Sequence, residues 1–206
     1  MSDILKQDLW RSWRVLKPSE WDGGQNRGGG LGSQRFWEYF WTISRLPSSA
    51  KIFADVGSGE TDFLPWLMRR NGYRVDSIDP LAPLETGNLS SLGSSYRMLL
   101  DEFLKGNDPD AYMCVTCVSV AEHLPDPTVL FRDLAKFRFA RIVCTLELGP
   151  DPQAFDWQLT MGKLYGCLES MRDSHYLSEM ESCPVWADNS SGGRWRPFGI
   201  VLEPIR

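Results

Sequence analysis

From residue 51 onward, short unbroken apolar runs alternate with segments whose apolar residues recur every three or four positions. That pattern predicts strands alternating with helices. Strands are predicted at 51–56, 73–79, 96–100, 111–120 and 140–147, and helices at 62–71 and 127–138. A long amphipathic stretch over 153–172 carries Phe155, Leu159, Leu164, Leu168 and Met171 on its inward face, and a last strand pair is expected near 183–187 and 197–203. The polar run from Asp188 to Gly193 reads as the loop joining that pair in a hairpin. Strands that alternate with helices call for a mostly parallel sheet with helices on both faces, an α/β fold.

Residues 1–50 differ in character, since five of the nine tryptophans fall there: Trp10, Trp13, Trp21, Trp37 and Trp41. A glycine-rich stretch from Asp22 to Gly32 resists regular structure because glycine loses the most backbone freedom on ordering. After it, Ser33 can cap a helix that carries Phe36, Trp37, Phe40 and Trp41 and ends before Pro47. The organisation expected is an aromatic and glycine-rich extension over 1–50, serving as core packing, a lid or an aromatic substrate cage, followed by one domain over 51–206.

Composition narrows the functional classes. With 206 residues, 42% hydrophobic and 24% charged, the chain has enough apolar material for one sizeable core. Its net charge of −5 offers no general counter-charge to a phosphate backbone, which disfavours nucleic acid as a partner. No apolar run approaches the ~20 residues of a bilayer span, and the start Met1-Ser2-Asp3-Ile4-Leu5-Lys6 lacks a secretory layout. Five scattered cysteines do not form a disulfide framework in a chain of this length. The expectation is a soluble cytoplasmic protein with no membrane partner; its oligomeric state is not readable from the sequence.

Three segments carry chemistry. In the first, Lys51-Ile52-Phe53-Ala54-Asp55-Val56-Gly57-Ser58-Gly59-Glu60-Thr61-Asp62, a buried-strand pattern runs into a glycine turn and a helix start. Glycines there let a ligand approach the backbone beside free N–H groups, or they simply permit a tight turn. The dinucleotide fingerprint needs a glycine where Asp62 stands, and a carboxylate at a helix start opposes a pyrophosphate. In the second, Tyr73-Arg74-Val75-Asp76-Ser77-Ile78-Asp79-Pro80, a strand ends in an acid. Asp79 suits the two ribose hydroxyls of a nucleoside ligand, the alternative being a solvent-facing acid that opens an Asp-Pro turn. The third is the strand that delivers Ser119, Glu122 and His123 to its carboxyl end, in Ser119-Val120-Ala121-Glu122-His123-Leu124-Pro125-Asp126-Pro127.

Taken in order, Asp55-Val56-Gly57-Ser58-Gly59, Ile78-Asp79 and the run from Ser119 to Pro127 resemble the motifs of the class I S-adenosylmethionine-dependent methyltransferases, in particular the small-molecule members of type 11/12. The resemblance covers about residues 50–147. It implies a Rossmann-like doubly wound seven-stranded sheet, mostly parallel with an antiparallel last strand. It also implies S-adenosylmethionine as cofactor, held by Asp55, Gly57, Ser58, Gly59, Asp79, Pro80 and Ser119. Asp101 or Glu102 matches the family's acid near the adenine amino group. The departure is Thr61, where the family usually has a third glycine.

The reaction implied is in-line transfer of a methyl group to oxygen or nitrogen of a small-molecule, peptide or sugar acceptor, which depends mainly on positioning. Glu122 and His123 are the catalytic candidates, with His123 able to take a proton from the acceptor or merely to brace the loop. His175, the other histidine, is a candidate to face substrate. Cys114 and Cys117 lie on opposite faces of one strand, which is poor geometry for a metal, and no metal site is expected. Two rivals stand beside this reading: the same fold with a nicotinamide dinucleotide, and a cofactor-binding or scaffold protein without turnover.

Overall fold

The strand β1 (Ile52–Val56) is central: all of its residues but Ile52 are buried, and apart from Asp55 near its carboxyl end they are apolar. It pairs in parallel with β2 (Arg74–Ile78) on one side and β4 (Cys114–Val118) on the other. The two-residue β3 (Ser95–Tyr96) extends the sheet beyond β2, and β5 (Arg141–Leu148) extends it beyond β4, both in parallel. The long β8 (Arg194–Pro204) runs antiparallel to β5, and β6 (His175–Ser182) pairs antiparallel with β8 at the edge. The order is β3-β2-β1-β4-β5-β8-β6, with the short β7 (Ala187–Asp188) paired to β8 off that path. This is the expected doubly wound seven-stranded sheet with an antiparallel last strand. The computed structural model describes residues 2–15, 31–82, 90–149, 159–184, 187–188 and 194–205; the glycine-rich segment up to residue 30, Trp21, Phe155 and the 189–193 loop lie outside them.

Alternation along the strands divides the core in two. Phe53, Val75, Cys114, Val118, Val143 and Val201 face α1 (Ser2–Val15), α2 (Leu31–Arg45) and α3 (Phe63–Arg70). Ala54, Ile78, Val115, Cys117, Ile142 and Ile200 face α4 (Leu100–Gly106), α5 (Pro127–Leu134) and α6 (Met161–Glu169). Period-2 side-chain placement thus puts Cys114 and Cys117 on opposite faces, and no cluster of metal-ligating residues occurs among the described residues. Asp126 starts α5 by accepting the Thr128 N–H, with Pro127 in the first turn where a missing donor costs nothing.

The N-terminal α2 is fastened across the sheet. Trp41 packs on Gly199 of β8, where a Cβ would lie 2.4 Å from the indole ring. Its Nε1 donates to Glu181 Oε2 at 2.8 Å. Arg45 Nη2 donates to Glu179 Oε1 and Glu181 Oε2, both at 2.6 Å, with the guanidinium 4.6 Å from the Trp41 ring.

Several predicted boundaries are corrected. The strand expected at 96–100 is β3, and Leu100 already opens α4. The helix expected over 127–138 stops at Leu134, after which Phe137 folds back into the core. Within 153–172 the described helix is Met161–Glu169, opened by Thr160 Oγ1 accepting the Lys163 N–H at 3.3 Å; residues 151–158 lie outside the described ones. The strand expected at 183–187 is displaced: the edge strand β6 begins at His175 and ends at Ser182, before that range, and only Ala187 of it lies in a strand, β7. An edge strand exposed on one side needs no apolar run, and His-Tyr-Leu-Ser-Glu-Met-Glu-Ser has none.

Candidate active site

The strand order reverses between β1 and β4, and the carboxyl ends of those two strands flank the crevice where open α/β sheets take ligands. Beyond β1, Gly57 (φ 78°) donates its N–H to the Ile78 carbonyl at 2.8 Å. A Cβ on Gly57 would stand 2.2 Å from Val120 Cγ2, so the turn passes hard against the β4 loop. At Gly59 (φ 68°) nothing lies within 4 Å of such a Cβ, which leaves the backbone open. The Gly59 N–H donates to Asp79 Oδ2 at 3.0 Å, and Asp79 Oδ1 accepts the Leu81 N–H at 2.6 Å. Glycine turn and acid are therefore one unit, with Ser58 half-buried between the glycines and Pro80 exposed beside the acid.

Asp55 is buried beneath the turn and accepts the Thr116 hydroxyl. Burial pushes its carboxyl up to about 7 against the pull of that hydrogen bond. Asp62, in the left-handed conformation before α3, is bonded to the buried Arg69 guanidinium at 2.9 Å. Arg69 also donates to the Val75 carbonyl at 2.8 Å and to Ser77 Oγ and the Ser94 carbonyl, each at 3.1 Å. The argument that a bare Asp62 carboxylate repels a pyrophosphate is thereby corrected, because its charge is matched within the fold. Thr61 is exposed.

Beyond β4, Ser119 adopts a left-handed backbone (φ 52°) and donates its N–H to the Thr145 carbonyl at 3.0 Å. A short 3-10 turn, Ala121–His123, follows. It points the two catalytic candidates apart: Glu122 is buried, and neither carboxyl oxygen has a hydrogen-bond partner among the described residues, whereas His123 faces solvent. Burial and then the Glu147 and Glu38 charges hold the Glu122 carboxyl well above its ordinary range. The His123 imidazole is lowered, first by partial desolvation of its ring and then by Arg35.

Three residues of this edge escaped the sequence reading. Glu38 of α2 is 1% exposed, and its Oε1 accepts Ser119 Oγ at 2.5 Å and Thr145 Oγ1 at 3.0 Å. Its Oε2 lies 3.1 Å from Arg35 Nη1. For Arg35, burial works against the charge, but Glu38 and further carboxylates outweigh it and raise the pKa. Glu147, at the end of β5, is pushed up to about 7 by burial and by Glu38. The available signal was a carboxylate set among Phe36, Trp37, Phe40 and Trp41, where a merely solvated helix face would carry several.

The remaining expected residues lie on α4 and β6. Asp101 and Glu102 lie in the first turn of α4, where Asp101 pairs with Lys105 at 3.0 Å and Glu102 accepts the Leu99 N–H at 3.3 Å. His175 does not face an acceptor: it is 2% exposed at the start of β6, with Nε2 3.1 Å from the Ala140 carbonyl and Nδ1 2.9 Å from Ser174 Oγ. It belongs to the opposite edge of the sheet, because β6 runs in the same direction as β5 and His175 opens it.

No family model matches the chain. It is 37% identical over 172 residues to the ubiquinone biosynthesis O-methyltransferase of Xanthomonas euvesicatoria pv. vesicatoria (strain 85-10), covering 79% of this chain and 71% of that protein. The chain belongs to the class I S-adenosylmethionine-dependent methyltransferases. The protein of the same name from Pseudomonas entomophila (strain L48) is 34% identical over 97 residues, spanning 45% of this methyltransferase and only 41% of the relative. Among solved structures, the geranyl diphosphate C-methyltransferase of Streptomyces coelicolor A3(2), in complex with Mg2+, geranyl-S-thiolodiphosphate and S-adenosyl-L-homocysteine, shares the fold. It does so at 13% identity with a TM-score of 0.63, covering 98% of both chains. A Haemonchus contortus phosphoethanolamine N-methyltransferase 2 complexed with S-adenosylhomocysteine superposes with a TM-score of 0.59 at 12% identity, covering 98% of this methyltransferase and 61% of that chain.

S-adenosylmethionine is the cofactor that defines the family, and the residues present fit it. Gly57 allows no side chain, Gly59 leaves its backbone open, and each Asp79 oxygen accepts one N–H and keeps a lone pair for a hydroxyl. The nicotinamide reading falls with the family assignment. No described helix is long and apolar enough to cross a membrane.

Proposed function

We propose that this chain transfers the methyl group of S-adenosylmethionine to a hydroxyl oxygen of a neutral small molecule. The observation that carries the reading is the meeting of three elements at one sheet edge: the open glycine turn, the Asp79 carboxylate bonded to it, and the Ala121–His123 turn pressed against it through Val120. In this reading Gly57, Ser58 and Gly59 pass the amino-acid part of the cofactor, with Asp55 supporting the turn from below. Arg35 offers a guanidinium for the cofactor's carboxylate, and Asp79 takes the ribose hydroxyls with Pro80 beside it. The cofactor supplies an electrophilic methyl on a sulfonium centre. Asp101 or Glu102 is the acid nearest in sequence for the adenine amino group; Asp101 would have to share itself with Lys105.

His123 is the proton acceptor in this proposal. With its pKa below 6.5 the imidazole is neutral at physiological pH, able to take the hydroxyl proton as the new C–O bond forms and the S–C bond breaks. Glu122, whose carboxyl burial pushes well above its ordinary range, is instead part of the buried wall of the same edge. Arg35, the guanidinium of this edge among the described residues, is already paired with Glu38 and has Glu147 nearby, a balance that disfavours a phosphorylated acceptor. The names of the Xanthomonas and Pseudomonas relatives favour oxygen as the receiving atom. Five cysteines, all buried, fit a reducing cytoplasmic compartment.

The test is calorimetric titration with S-adenosylmethionine and S-adenosylhomocysteine, followed by labelled methyl transfer to panels of phenols, amines and phosphorylated alcohols. Micromolar binding that Asp79→Ala weakens at least tenfold, with label appearing on phenolic oxygen, is expected. A folded protein that binds neither ligand, or that methylates only amines or phosphorylated alcohols, overturns the reading.

A further inference from the structure

We infer, resting on the cofactor site proposed above, that Glu38 is a positioning residue through which α2 sets the geometry of both cofactor-facing turns. The β4 turn cannot hold itself in place. Ser119 is a non-glycine residue at φ 52°, a conformation that costs an L-residue energy wherever the surroundings do not impose it. What imposes it is a pair of fastenings: the Ser119 N–H on the Thr145 carbonyl, and the Ser119 hydroxyl on Glu38 Oε1. The same Oε1 holds Thr145 Oγ1, so one carboxylate oxygen joins the ends of β4 and β5.

The next residue transmits that placement. Val120 fills the space that any side chain on Gly57 would need, so a shift of the Ser119 turn moves the wall against which the glycine turn rests. The second carboxylate oxygen acts in parallel by holding Arg35 at 3.1 Å. Glu38 itself has little freedom to wander, being 1% exposed on a helix pinned one turn later by Trp41 and two turns later by Arg45. A buried carboxylate needs such donors to be tolerated; two hydroxyls and one guanidinium meet that need. Its oxygens are spent on Ser119, Thr145 and Arg35, which makes the role one of placement rather than proton transfer.

The experiment compares Glu38→Ala and Glu38→Gln with the unsubstituted chain. Glutamine keeps an acceptor oxygen for Ser119 and Thr145 but surrenders the charge facing Arg35. Amide hydrogen exchange at Ser119 in the cofactor-free protein is expected to quicken at least tenfold in Glu38→Ala and less than threefold in Glu38→Gln. S-adenosylhomocysteine affinity is expected to fall at least tenfold in the alanine variant and at least threefold less than that in the glutamine variant, which keeps the Ser119 and Thr145 contacts but not the charge that holds Arg35. Affinity is read well below the unfolding midpoint of each variant, so a merely structural role would lower that midpoint and leave both readouts in place. Unchanged exchange and affinity in Glu38→Ala, or equal losses in both variants, overturn the inference. If the unsubstituted chain binds no S-adenosylhomocysteine, it is the cofactor reading that fails, and the exchange at Ser119 still decides whether Glu38 holds the turn.

Discussion

Val120 occupies the only room a side chain at Gly57 would have: a Cβ there would stand 2.2 Å from Val120 Cγ2. The two turns that frame the cofactor crevice are therefore in contact even without a ligand, and either can disturb the other.

Gly57→Ala combines a left-handed φ of 78° with that collision. Strain and overpacking together are expected to cost about 2–4 kcal/mol of stability. S-adenosylhomocysteine affinity should fall more than tenfold. Adding Val120→Ala relieves the collision but not the φ strain, so chemical denaturation of the double variant should recover part of the loss.

His123→Ala should lower the rate of methyl transfer by about 10²–10⁴, the usual contribution of a general base. S-adenosylhomocysteine affinity should stay within about threefold, because the imidazole acts on the acceptor side. In the unsubstituted chain, kcat should rise with pH to a plateau with its midpoint below 6.5, since the imidazole is lowered and works unprotonated. A flat profile would remove His123 from the reaction.

Asp55 gives the cofactor-free protein a pH dependence opposite to ordinary acid unfolding. Its carboxyl rises from 3.8 to about 7 on folding because burial disfavours the charge. Folding then takes up a proton across that window, and stability is lost as pH rises through it, by up to about 1.4 kcal/mol per pH unit for one such group. Glu147, raised from 4.5 to about 7, acts in the same direction. The lowered His123 and His175 oppose both just below 6.5, so the trend is clearest between pH 6.5 and about 7 and fades above, where both carboxyls are unprotonated in either state. Urea titrations of Asp55→Asn should show a shallower slope there.

Arg69→Ala leaves the Asp62 carboxylate buried without its cation and frees the Val75 and Ser94 carbonyls. A broken buried pair of this kind costs about 3–5 kcal/mol. Thermal unfolding should fall accordingly, whereas Arg69→Met with Asp62→Leu should recover much of it.

The parallel core and the glycine turn were legible in the sequence because both are local. Phe53 to Val56 run apolar into Gly57 and Gly59, and one strand on, Ile78 runs into Asp79. Ser119, Glu122 and His123 could be placed at a strand end for the same reason. The edge strand β6 was not legible, since a strand wetted on one side carries no apolar run, and His175 was misplaced with it. Glu38, Arg35 and Glu147 were missed for a different cause. Glu38 meets Ser119 across 81 positions and Thr145 across 107, and no local pattern encodes such a meeting. Likewise Asp62 looked like a bare charge because its partner's burial is a tertiary fact.

The fastening of α2 sets an order of events during synthesis. Trp41 meets Glu181 across 140 positions and Arg45 meets Glu179 across 134, so the helix that carries Glu38 is made long before the strand that anchors it. Closing loops of that length is slow compared with forming local structure. While β6 and β8 are still being made, an emerging chain can already own its glycine turn and the Asp79 strand end while the helix whose carboxylate fastens Ser119 is not yet anchored. Competence for catalysis is thus withheld until the last strands arrive, and a ribosome-bound intermediate should present a sheet without a working crevice.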